Sequence, residues 1–64
     1  MIIRVPDDRA LLELQAFLSR HDCITFARPE IGAVEAACPH LTPEGERRRI
    51  DELVAEWQRT RKVA

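Results

Sequence analysis

The sequence predicts an α+β fold in the order β-α-β-β-α, a three-stranded mixed sheet with two helices packed on one face. Three observations carry this reading. The chain opens on an alternating apolar run, two longer segments repeat their apolar residues at helical spacing, and a Pro-Glu-Ile-Gly stretch folds the middle of the chain back on itself.

In MIIRV, Met1, Ile3 and Val5 fall on one side of an extended strand and Ile2 and Arg4 on the other, and Pro6 stops the run. Asp7 or Asp8 then offers an N-cap. Leu11, Leu14, Phe17 and Leu18 make an apolar stripe that Ala10 and His21 extend, so a helix is expected over about Arg9 to Arg20. The two aspartates at its start and Arg20 at its end suit the helix dipole, and Arg9 lies one turn before Glu13.

Cys23 to Arg28 is rich in β-branched and aromatic residues and favours a strand. Ala33 to Cys38 has two readings, because alanine and glutamate favour a helix. Pro29-Glu30-Ile31-Gly32 decides for a hairpin: proline fixes φ and glycine accepts a left-handed conformation, as a four-residue loop often requires. A helix confined between Gly32 and Pro39 would be very short and unstable without packing. The last element starts at Thr42 as N-cap and Pro43 as first helical residue, with Glu44 and Glu46 near the positive end of the dipole. Ile50, Leu53, Val54 and Trp57 then form the stripe of an amphipathic helix from about Pro43 to Arg61. Gly45 weakens its first turn by up to about 1 kcal/mol relative to alanine, which the buried stripe outweighs.

The first strand, helix and second strand are expected to form a right-handed crossover with parallel neighbours, to which the hairpin adds an antiparallel third strand. Helices on one face leave the other bare. Ile24 and Phe26 point one way and Val34, Ala36 and the cysteines the other, so the sheet has two apolar faces and wants a second cover. Homodimerisation through the bare face or an edge strand follows, with Val34, Ala36 and Trp57 as its interface residues.

With 64 residues there is room for one domain, 1–64, whose small core leaves it marginally stable. Charged residues make up 33% and hydrophobic ones 45%, too apolar a balance for disorder driven by charge, and the net charge of −1 provides no field favouring nucleic acid or an anionic membrane. No apolar run approaches the roughly 20 residues of a membrane span. The expected location is therefore cytoplasmic, where two cysteines stay reduced, although their even number leaves a disulfide arithmetically open.

If Arg28 and Ala33 close the hairpin loop, cross-strand partners have numbers summing to 61, so Cys23 faces Cys38 and, if the strands extend, His21 faces His40. All four would share one face. A Cys2His2 zinc site is then within reach and would stabilise a chain with a small core. A register slip dissolves it, His21 can belong to the helix end, and Pro39 can bend His40 away. The preferred reading makes both cysteines small buried hydrophobes and the histidines a helix-end and a loop residue; a redox or disulfide role is the third.

Arg47-Arg48-Arg49 invites an RNA-binding reading, but three consecutive helical residues span about 200° and Glu44, Glu46, Asp51 and Glu52 lie within a turn, so a solvated face with ion pairs is preferred. Trp57 reads as core or dimer contact rather than a base-stacking platform. Glu35 shares the face of Ile24 and Phe26, where a carboxylate needs exposure or a partner; either it is a sheet-edge residue or the register differs, and a catalytic acid is the third alternative. No glycine-rich phosphate loop or nucleophile elbow is present and Ser19 is the only serine, so no enzyme, catalytic residue or cofactor is expected.

IRVPD, a helix ending FLSRHDC, a short strand ending in proline and a charged helix carrying ELVAEWQ together resemble small uncharacterised actinobacterial proteins with a strand, a helix, a hairpin and a long final helix. The resemblance spans most of the chain and implies neither an activity nor a site residue. The expectation is a non-catalytic protein–protein interaction or regulatory module that associates with itself. The alternatives are a zinc-binding or thiol-based sensor using His21, Cys23, Cys38 and His40, and an RNA-binding domain using Arg47 to Arg49.

Overall fold

The computed structural model describes residues 1–62, of Lys62 the backbone alone. The chain runs through β1 (Ile2–Arg4), α1 (Asp8–Ser19), β2 (Ile24–Arg28), a single 3-10 turn (Pro29–Ile31), β3 (Ala33–Ala37) and α2 (Pro43–Lys62). This is the expected α+β order.

Each boundary has a local cause. Asp7 is the N-cap of α1, its extended backbone letting Oδ1 accept from the Ala10 N–H at 2.8 Å. The turn that follows α1 closes on a left-handed residue, Asp22, with φ 63°. The Cys23 N–H then reaches back to the Leu18 carbonyl at 3.3 Å, the six-to-one bond of a Schellman turn, which aims Cys23 into the core. In the hairpin loop, Gly32 takes φ 62° and ψ 46°, the conformation expected of it. Its carbonyl accepts from the Val5 N–H at 2.9 Å, which ties the end of β1 to the loop. At the start of α2 the Thr42 hydroxyl accepts from the Gly45 N–H at 3.1 Å, as an N-cap should.

The sheet order corrects the expected topology. β3 lies between β1 and β2 and pairs antiparallel with both, so the sheet is wholly antiparallel rather than mixed, and β1 and β2 are not neighbours. The helical crossover skips one strand position, as in a split β-α-β unit. β3, Ala-Val-Glu-Ala-Ala, is the least polar strand, and a central strand has its N–H and C=O groups satisfied on both sides. Placing it centrally also makes every ladder antiparallel, the slightly more stable pairing.

The hairpin register is the one the loop dictates: Ile24 opposes Ala37, Thr25 Ala36, Phe26 Glu35, Ala27 Val34 and Arg28 Ala33. Both helices cover the face that carries Val34 and Ala36. Ala10, Leu11, Leu14 and Leu18 of α1 and Ile50, Leu53 and Trp57 of α2 close over those residues and over Cys23 and Cys38, with Ile3, Val5, Phe17 and Val54 at the margin. Each large side chain that is fully buried here contributes about 1.5–3 kcal/mol. Val34, Ala36 and Trp57, expected at an interface, are core residues instead, because they sit on the helix-covered side of the sheet or beneath it. No helix among the described residues is long and apolar enough to cross a membrane.

Candidate functional site

Two features stand out: the uncovered sheet face and the cysteine pair beneath the opposite one. On the uncovered face the registers line up three rows. Ile24 and Ala37 form the first, Ile2, Glu35 and Phe26 the second, Arg4, Ala33 and Arg28 the third. Ile2, Ile24 and Phe26 are 57%, 49% and 58% exposed, although each is of a size that ordinarily goes inside. Ile24 and Phe26 are neighbours along one side of β2, and Ile2 lies across β3 from Phe26, so the three frame a patch with Glu35 between them.

Glu35 stands in the middle of this patch, on the central strand rather than at an edge. Its carboxylate is not stranded: Oε1 accepts from Arg28 Nε at 3.0 Å and Nη2 at 2.8 Å. The pair lies diagonally across β2 and β3 and remains partly exposed, and the carboxylate holds the Arg28 guanidinium still more firmly charged. The sequence-level contradiction at Glu35 is thus resolved by a partner two residues along the neighbouring strand.

Of the four residues proposed for zinc, the structure brings two together. Cys23 and Cys38 are both free and buried, with sulfurs 3.2 Å apart and one thiol donating to the other. His21 instead packs its ring on Phe17 at 4.7 Å, held by the turn that closes α1, and His40 is exposed in the loop after Pro39. Among the described residues no three of histidine, cysteine, aspartate and glutamate group to hold a metal ion. Two thiolates on one zinc at about 2.3 Å would also stand about 3.8 Å apart, wider than this pair. Burial pushes the Cys23 thiol up to about 11; the hydrogen bond and charge of Cys38 add to this, Arg49 on α2 pulls it back, and Asp22 pushes it further.

A feature missed in the sequence is Glu46. Its carboxylate accepts from the Cys38 backbone N–H at 2.9 Å, so the first turn of α2 holds the end of β3 and the second cysteine. The spacing of an acidic residue after a capping threonine signals a helix start, but it does not reveal a bond to another element.

Arg47, Arg48 and Arg49 are all exposed, and Arg47 and Arg48 share their groove with Glu44, Asp51 and Glu52. Trp57 is capped by Arg61, whose guanidinium carbon lies 4.8 Å from the ring centroid and which also approaches Glu13 at 3.6 Å. No family model, curated protein or solved structure matches this chain.

Proposed function

We propose that this chain is a non-catalytic interaction module whose working surface is the bare sheet face and whose partner is a second copy. The observation that carries the reading is the patch of Ile2, Ile24 and Phe26, all about half exposed on the side opposite both helices. Burying such side chains against like ones is favourable at about 25 cal/mol per Å². Charge sets the orientation. The patch is apolar toward Ile24 and basic toward Arg4 and Arg28, with the carboxylate of Glu35 engaged by Arg28. A two-fold axis near Ile24 and Phe26 stacks the apolar ends on each other and sends the arginine ends to opposite margins.

Area sets the strength. Strands of three, five and five residues, about 4.8 Å apart with a rise of about 3.4 Å per residue, cover a footprint of about 210 Å². Even doubled for side-chain relief this stays below the roughly 800 Å² per partner of a standard interface, so the dimer is a weak one, forming at roughly high-micromolar concentration.

Sedimentation or light scattering over a concentration series tests this. The mass is expected to rise from one chain toward two, and Phe26→Glu is expected to hold the protein at one. Phe26 lies outside the core, but a glutamate at this position faces Glu35 across the ladder, so Phe26→Lys, which faces it with the opposite charge, is made beside it and circular dichroism verifies the fold of both. A chain that stays monomeric into the millimolar range sinks the proposal, as does self-association that Phe26→Glu leaves intact.

A further inference from the structure

Beyond the sheet face, the molecule has a second site that its interaction surface does not use. We infer that Cys23 and Cys38 are a dithiol–disulfide couple, oxidised within one chain by a low-molecular-weight disulfide of the oxidised-glutathione class.

Position supports this first. Cys23 and Cys38 continue the β2–β3 register by one pair, so their backbones face each other at the open end of the hairpin. Directly opposed residues of antiparallel strands have Cα atoms about 4.5–5.5 Å apart, inside the 4.4–6.8 Å range of disulfides. The side chains already converge, with sulfurs at 3.2 Å, so the bond forms by closing about 1 Å without moving a strand. Among the described residues, the other hydrogen bond at either sulfur runs from the Cys23 thiol to the His21 carbonyl, at 3.8 Å.

Access sets the order of events. Cys23 is 7% exposed and Cys38 1%, so Cys23 is the entry atom. The small fraction of Cys23 present as thiolate, which grows as pH rises toward about 11, is the attacking species, so the exchange is slow at neutral pH and is run at alkaline pH. It attacks one sulfur of the small disulfide and expels a small thiolate, leaving a mixed disulfide on Cys23. The Cys38 thiolate then attacks the Cys23 sulfur and expels the second small thiolate. Two thiol protons pass to the two leaving thiolates, the protein loses two electrons, and the small disulfide gains them. The bond closes a ring from residue 23 to 38 that holds the whole hairpin. It also ties the turn leaving α1 to the segment entering α2, so the oxidised chain has far less freedom when unfolded.

The test equilibrates the purified full chain with oxidised and reduced glutathione in varied ratio, traps free thiols by alkylation, and reads the intact mass. The expected product is one chain lighter by two hydrogens, carrying no glutathione and no alkyl group. Its melting temperature is expected about 10 °C or more above that of the reduced chain. Cys38→Ser is expected to stop at a single glutathione on Cys23 and to show no such rise. Should that variant not fold, the wild-type comparison of oxidised and reduced chains decides alone. Two alkylated thiols in fully oxidised glutathione, a stable mixed disulfide, a bond between chains, or an oxidised chain that melts no higher than the reduced one each overturn the inference.

Discussion

At the scale of single residues, the turn after α1 combines a cost and a purpose. Asp22 adopts φ 63°, a left-handed conformation that aspartate tolerates better than most residues but glycine accepts freely. Asp22→Gly is therefore expected to raise stability by roughly 0.5 kcal/mol, the relief of strain outweighing the added freedom of the unfolded chain. Urea denaturation checks this, and a loss of stability contradicts the account of the turn. Cys23 makes a second prediction. Its thiol ionises at about 11 in the folded chain against an ordinary value of 9.0. A raised value means that the folded state holds the proton more tightly, so the contribution is complete below about pH 9 and is lost as pH rises through about 11. The reduced protein is expected to melt at progressively lower temperature across that window, and Cys23→Ala to flatten the part of the fall due to this group. The groups facing the thiol are Cys38, Arg49 and Asp22, and none of them reverses this sign.

At the scale of elements, the strands and helices were legible in the sequence because their signals are local. The Asp7 cap, the stripe through Leu11, Leu14 and Leu18, the Thr42–Pro43 start and the Pro29–Gly32 loop each act within a few residues. The hairpin register followed as well, since a loop of known length fixes which residues oppose, and with it the meeting of Cys23 and Cys38. His21 and His40 did not follow. Each lies just beyond the ladder, in a turn whose path is set by the Schellman bond at one end and by Pro39 at the other. The Glu46 bond to the Cys38 N–H was equally hidden, because it joins two elements. Glu46→Ala is expected to cost about 1–3 kcal/mol, since a charge-assisted bond is lost and a partly buried N–H is left without its acceptor. Chemical denaturation measures it; a neutral substitution shows that the bond does not anchor α2 to β3.

At the scale of the whole molecule, one surface property stands out. With β3 in the centre, the face away from the helices presents Ile2, Ile24 and Phe26 beside Arg4 and the Arg28–Glu35 pair. If copies meet there with their basic ends apart, added salt has little attraction to screen. Self-association is expected to persist or tighten as salt rises, as an apolar contact does. Dissociation by modest salt points instead to a contact held by ion pairs rather than by the apolar end of the sheet.

The sequence by itself determined the elements, their order and the pairing of the hairpin, because dihedral preferences, capping and apolar spacing operate over short stretches of chain. Only the tertiary structure decided that β1 joins the far side of β3, that Val34, Ala36 and Trp57 are spent in the core, and that the two thiols meet without the histidines. Those outcomes depend on which strand is best paired along both edges and on how two helices share one face. Both are competitions between distant segments, and no local stretch of residues encodes their result.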